Sequence, residues 1–192
     1  MSVRAALNQA ARALEAVSDS PRLDAELLAA HALGVSRESM ILRHLGDPAP
    51  EALEALLARR LAHDPVAYIT GRRAFWTIEL AVGPGVLIPR PDSETLIEAA
   101  VEYFGARAPA RILDLGTGPG ALLLAALAEW PEAQGLGVDA SDVAREYARR
   151  NAAPLGMAAR ASSTSSLPKR PPPSGRAASM RPSSKLASVT VG

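Results

Sequence analysis

Gly116, Gly118 and Gly120 recur at two-residue spacing directly after the run Arg111 to Leu115, with Thr117 and Pro119 between them. A strand that opens into a helix through closely spaced glycines lets backbone N–H groups and the helix N-terminus approach a ligand, because no Cβ stands in the way. The spacing admits two ligand classes. Gly116-x-Gly118-x-Gly120 fits the cofactor loop of a group-transfer enzyme, and Gly116-x-Gly118-x-x-Ala121 satisfies the relaxed dinucleotide fingerprint. The bland alternative, glycines that only shape a turn, does not explain the acids that accompany them.

Asp114 stands two residues before Gly116. A dinucleotide-binding strand keeps apolar side chains up to its glycines, since the pyrophosphate is negative. A carboxylate there suits a ligand bearing an ammonium and a sulfonium, such as S-adenosyl-L-methionine. Asp139 closes the next strand and is placed to accept hydrogen bonds from two ribose hydroxyls, a role both ligand classes share. Pro119 removes one backbone donor from the loop. Asp114, Gly116, Thr117, Gly118, Pro119, Gly120 and Asp139 are the expected cofactor contacts.

Other chemistry-bearing residues read more plainly. Arg90, Pro91, Asp92 and Glu94, within Pro89-Arg90-Pro91-Asp92-Ser93-Glu94, form either an ordinary helix start or a segment adjacent to the site. His31, His44 and His63 are isolated, without a ligand-spaced carboxylate or second His, and read as partly exposed helix residues. Arg59-Arg60 and Arg72-Arg73 read as solvated helix-face charges. Trp76 and Trp130 read as packing residues.

Elements must hold these groups. Val3, Leu7, Ala10, Leu14 and Val17 form one helical stripe. Ser20 and Pro21 restart a helix carrying Leu23, Leu27 and Ala30, which Gly34 ends as a left-handed C′ residue. A short helix from Ser36 carries Met40, Ile41 and Leu45. Another from Pro50 carries Leu53, Leu56, Leu57 and Leu61, and Asp64-Pro65 stops it. Phe75 to Val82, turned by Gly83-Pro84-Gly85 into Val86-Leu87-Ile88, predicts a hairpin. A helix then presents Leu96, Ile97, Ala100, Val101 and Phe104. Strand 111–115, a helix from Ala121 to Trp130, strand 136–139 and a helix over 142–151 follow, at the spacing of a parallel α/β sheet.

Composition narrows the function classes. The chain has 192 residues, net charge +1 and no cysteine, which excludes disulfides and thiolate metal sites. Through Arg160 it holds every acidic residue and is net −4, so bulk electrostatics does not argue for nucleic-acid binding. No apolar run is long enough to span a membrane, and no signal-peptide core opens the chain, so the expected location is cytoplasmic. From Ala161 onward nine serines and five prolines fall in 32 residues without apolar periodicity, which predicts disorder.

The chain resembles the release factor glutamine methyltransferases over roughly residues 1 to 157. The resemblance rests on Ser20 to Leu28, Asp64 to Gly71, Phe75-Trp76, Leu87 to Glu94, Asp114 to Gly120 and Gly137-Val138-Asp139; Ser93 replaces the family's usual threonine. It implies an α/β fold in four parts. These are a helical substrate-recognition domain (1–72), a β-hairpin linker (73–90), an incomplete Rossmann-like methyltransferase domain (91–160) and a disordered tail (161–192). It also implies that the cofactor is S-adenosyl-L-methionine, that Arg90, Pro91, Asp92 and Glu94 lie beside it, and that the partners are peptide chain release factors, methylated on the glutamine amide of a Gly-Gly-Gln motif. The family's Asn-Pro-Pro-Tyr, which orients that poorly nucleophilic nitrogen, has no counterpart, since neither Asn8 nor Asn151 precedes a proline. No catalytic residue is therefore assigned, and the chain is expected to be inactive. Lysine appears only at Lys169 and Lys185, and acidic residues cease, which predicts a truncation or frameshift after about residue 158. A non-catalytic release-factor-binding module and an NAD-binding fragment are the alternative readings.

Overall fold

The computed structural model describes residues 1–167 and, as backbone, 187–190. The chain divides into two units, Met1–Gly71 and Arg72–Gly192.

The first unit is helical: α1 (Val3–Leu14), α2 (Pro21–Leu33), α3 (Arg37–Ser39) running into a π-helical turn at Met40–His44, α4 (Ala52–Leu61) and α5 (Val66–Thr70). The stripe on α1 is buried as its spacing predicts, with Val3, Leu7 and Leu14 inaccessible. Gly34 adopts the left-handed conformation that ends α2. Ser36 Oγ accepts from Ser39 N–H and caps α3.

On α2 the expected stripe holds at Ala30, is half-buried at Leu27 and fails at Leu23. Leu23 is 42% exposed, while Ala25, Leu28 and Ala29 are buried together with Asp24 and Glu26. The reason lies in two buried carboxylates. Glu26 accepts from Arg22 Nε at 2.6 Å and Arg37 Nε at 2.8 Å. Burial alone would raise its pKa, but these bonds and charges outweigh it and hold the carboxyl below its ordinary value. Asp24 Oδ2 accepts from Ser18 Oγ at 2.7 Å and Arg60 Nε at 2.8 Å, and Arg60 Nη2 also reaches the Val17 carbonyl at 2.9 Å. Arg60 is therefore an internal tie rather than a solvated charge. Ser20 occupies the N-cap of α2 without a side-chain bond, and its N–H donates to Ser18 Oγ.

Two histidines also depart from expectation. His44 Nδ1 lies 2.8 Å from Asp47 Oδ2, and His63 leaves the helix with φ 66°.

The second unit opens with an antiparallel pair, β1 (Arg72–Phe75) and β2 (Ile78–Ala81). The hairpin thus turns at Trp76-Thr77. The segment 83–88, expected to be a turn and second strand, is irregular. Arg72 and Arg73 accordingly sit on a strand; Arg73 Nε donates to the Pro89 carbonyl at 3.1 Å. A 3₁₀ turn (Pro91–Ser93) leads into α6 (Glu94–Phe104), of which only Ile97 is fully buried. Trp130 packs edge-on against Phe104, at 5.4 Å between centroids.

A four-stranded parallel sheet follows, in the order β5-β4-β3-β6. Its strands are β3 (Arg111–Leu115), β4 (Gln134–Val138), β5 (Ala161–Thr164) and β6 (Ala187–Thr190). Helix α7 (Ala121–Glu129) joins β3 to β4, and α8 (Asp142–Ala152) joins β4 to β5. Two of these strands overturn an expectation. Ala161–Thr164 pairs with β4 and Ala187–Thr190 with β3, where disorder is expected from residue 161. Strand pairing supplies what local periodicity does not, because a parallel neighbour satisfies the backbone whatever the side chains are. Residues 168–186 and 191–192, also within the expected tail, lie outside the described residues.

The Arg60 pair gives the first unit a direct test. Both side chains are nearly buried, at 15% and 11% exposure. Arg60→Ala leaves Asp24 without its cation and is expected to lose about 3–5 kcal/mol in chemical denaturation. Asp24→Asn in the same chain should restore much of that loss.

Candidate functional site

β3 places its side chains alternately, so Ile112 and Asp114 share a buried face. Asp114 is 4% exposed. Its surroundings are apolar: a small cavity beside it is lined by Ile97, Phe104, Ile112, Leu122, Ala126 and Trp130. Asp114 Oδ2 accepts from Thr117 Oγ1 at 2.7 Å. Burial pushes its pKa above the ordinary value. The hydrogen bonds from Thr117 and the Leu123 backbone oppose that rise, and the charge of Asp139 adds to it.

Beyond β3 the chain enters the glycine loop. Gly116, Gly118 and Gly120 have φ of 76°, 53° and 88°, a region that L side chains rarely adopt. Gly116 N–H and Thr117 N–H both donate to the Val138 carbonyl, at 2.7 and 3.1 Å, which ties the loop to the end of β4. Gly118 N–H donates to Asp139 Oδ2 at 2.8 Å, and Ser141 N–H to Asp139 Oδ1 at 2.9 Å. Each Asp139 oxygen thus has one backbone partner and keeps a second acceptor site. Gly120 N-caps α7, whose first turn opens towards Asp114.

The loop sits at the carboxyl ends of β3 and β4, where the strand order runs outward on both sides of β3. Ligands bind at such switch points in open α/β sheets. A Cβ built at Gly116 would meet nothing within 4 Å, and one at Gly118 only the Gly116 carbonyl at 4.0 Å. The outer face of the loop is therefore open.

The other expected residues stand at the 3₁₀ turn and the start of α6. Arg90 and Asp92 pair with each other at 3.4 Å, both largely solvated. Pro91 starts the 3₁₀ turn. Glu94 Oε1 accepts from Trp76 N–H at 3.1 Å, and Trp76 Nε1 donates to Glu129 Oε1 at 2.6 Å. These two carboxylates hold Trp76 at φ 54° and so fix the hairpin turn. Ser93 stands at the N-cap of α6 without a side-chain bond, while Thr95 Oγ1 donates to the Asp92 carbonyl at 2.7 Å.

Two residues escape a sequence reading. Arg145 on α8 is buried, donating to the Asp139 carbonyl and pairing with Asp142. Asn151, near the end of α8, reaches both β2 and the Pro119 carbonyl. The partners of Asn151 lie 70 and 32 residues away, so no local signal marks it; Arg145 has a local partner in Asp142 at i,i+3, but that spacing does not distinguish a buried pair from a surface one.

The Asp114 environment fixes a pH dependence. The folded chain holds that proton more tightly than the unfolded one. Its contribution to stability is full below the unfolded pKa and is lost as pH rises through the raised folded value. Asp114→Asn should therefore melt level with the parent near about pH 3.5 and above it near about pH 8, each kcal/mol being about 2–4 °C. A gap that does not change with pH would contradict this account.

Residues 5–71 match the family described as the PrmC N-terminal domain. The chain is 48% identical over 146 residues to the release factor glutamine methyltransferase of Rhodospirillum rubrum, covering 74% of this chain and 45% of the relative. It is 44% identical to that of Vibrio cholerae (82% and 56% covered) and 43% identical to that of Escherichia coli (79% and 55%). Among solved structures, a SAM-dependent methyltransferase from Thiobacillus denitrificans in complex with S-adenosyl-L-homocysteine aligns with 39% of this chain and 29% of its own, at 32% identity and TM-score 0.33. The chain is thus a homologue of the release factor glutamine methyltransferases, with a PrmC N-terminal domain at residues 5–71, and it spans about half the length of the curated relatives it matches.

Proposed function

We propose that the second unit binds S-adenosyl-L-methionine at the glycine loop, and that the chain derives from a methyltransferase acting on the glutamine amide of peptide chain release factors. The observation that carries this reading is the conjunction of Asp114, the open glycine loop and Asp139 at one switch point. The residues fit the group. Asp114, buried without a paired cation among the described residues, gains a counter-charge from an ammonium or sulfonium. Asp139 offers its remaining acceptor sites to ribose hydroxyls, and Gly116 and Gly118 give the ligand backbone-close access, while Gly120 packs against Leu124 and Ala148. When bound, the cofactor supplies an electrophilic methyl group; the chain's own residues bind and orient it.

The helical unit (1–72) is the release-factor recognition element in this reading, residues 73–90 the linker, and Arg90, Pro91, Asp92 and Glu94 a site-adjacent segment beside the cofactor. Support comes from the names of the relatives and the domain matched at residues 5–71. Among the described residues no helix is long and apolar enough to cross a membrane, and the proposed location is the cytoplasm. Because neither asparagine precedes a proline, these 192 residues bind cofactor without transferring its methyl group.

Isothermal titration with S-adenosyl-L-methionine and NAD tests the ligand. S-adenosyl-L-methionine binds and NAD does not; binding of NAD alone would refute the use made of Asp114. Asp139→Ala weakens binding about ten- to a hundredfold, as expected for charge-assisted hydrogen bonds of about 1.5–3 kcal/mol. Affinity falls as pH drops through the raised Asp114 pKa, since the neutral carboxyl offers no counter-charge. A methyl-transfer assay on a release factor gives no turnover; robust turnover would show that the Asn-Pro-Pro-Tyr function is dispensable or replaced.

A further inference from the structure

Asn151 is 2% exposed and makes three hydrogen bonds, all to backbone. Its Oδ1 accepts from Ala81 N–H at 2.7 Å, and its Nδ2 donates to the Ala81 carbonyl at 3.0 Å and to the Pro119 carbonyl at 2.9 Å. These bonds span 70 and 32 residues of sequence. Ala81 lies opposite Arg72 in the antiparallel pair, and both its polar groups turn away from β1 to Asn151. The carboxamide therefore acts as one residue of a third strand on the free edge of the hairpin. Its second N–H, unused by that pairing, holds the glycine loop at Pro119.

Few side chains can do this. The site needs one acceptor and two donors in a plane, all uncharged. Aspartate has no donor when ionised, and a hydroxyl has a single hydrogen. Losing the amide would take this partner from the half-buried Ala81 N–H and carbonyl and from the buried Pro119 carbonyl, which is unfavourable at each group. Pro119 has no N–H of its own, so its carbonyl is the backbone group through which this point of the loop can be held.

We infer that Asn151 is a positioning residue: through one side-chain amide it holds the glycine loop in its ligand-ready form and transmits the loop's state to the β1–β2 hairpin. The helix end, the hairpin edge and the loop move as one body because a single planar group joins them. The cofactor arm of the test rests on the function proposed above; a second arm does not.

The experiment is amide hydrogen exchange at Ala81, read by NMR on the full chain. In the parent, saturating S-adenosyl-L-methionine slows Ala81 exchange severalfold. In Asn151→Ala, affinity drops about tenfold and the remaining saturable binding leaves Ala81 exchange unchanged. Leu7→Ala, a destabilising change in the first unit, leaves both affinity and the Ala81 response at parent values. In the arm without cofactor, Pro119→Gly loosens the loop and speeds Ala81 exchange in the parent background but not in the Asn151→Ala background. Should Asn151→Ala not fold, Asn151→Asp replaces it; this keeps the acceptor for Ala81 N–H and removes the donors to the Ala81 and Pro119 carbonyls. Parent-like affinity in the Asn151 variant, or a Ala81 response that persists in it, overturns the inference. Absence of cofactor binding by the parent would strike the proposed function alone, since the Pro119→Gly arm would still decide the coupling.

Discussion

A carboxylate buried at the end of a parallel strand, beside an apolar cavity, is unfavourable in its charged form unless fixed dipoles surround it. Asp114 meets this constraint in part, with a hydroxyl and a helix-start amide and without a cation among the described residues. Much of the second unit follows. Thr117 has to turn inward to donate, which requires a loop tight enough to reverse direction within three residues. The three left-handed glycines make that reversal, and α7 begins where its first turn opens towards Asp114. The positive end of the helix and the negative carboxyl favour each other. The site is in this sense an electrostatic arrangement before it is a binding pocket.

Asp139 and Arg145 extend the same logic to the neighbouring strand. Asp139 collects one amide from the glycine loop and one from the start of α8, so its orientation is set from both sides. Arg145 grips the Asp139 main chain from α8. Burial is the main cause of the raised proton affinity of Asp114, and the charge of Asp139 adds a smaller contribution. A cationic ligand beside Asp114 would offset both. Preorganised polar groups of this kind hold their geometry without the ligand, which lowers the reorganisation that binding requires.

How far the sequence reveals this depends on whether a partner is local. The strand, glycine loop and helix from Arg111 to Glu129 are legible because each is fixed by residues a few positions apart. The hairpin turn is not. A tryptophan at positive φ contradicts every local preference, and it is held there by Glu94 and Glu129, which lie 18 and 53 residues away. The buried face of α2 is misread for a related reason: Asp24 and Glu26 look like surface residues until Arg60, Arg22 and Arg37 are seen to neutralise them. Ala161–Thr164 has no strand pattern of its own and takes its conformation from the exposed edge of β4. Local rules find elements; they do not find what distant side chains do to them.

Gly137 on β4 ties packing to protonation. A methyl group there would stand 2.9 Å from both Thr117 Oγ1 and Cγ2, too close for either to remain. Thr117 would have to rotate, and its hydroxyl is the donor that lowers the proton affinity of Asp114. A purely steric change on one strand would thus surface as a titration change on the next. The absence of a side chain at this position is part of the acid–base chemistry of the site, although glycine itself carries no titratable group.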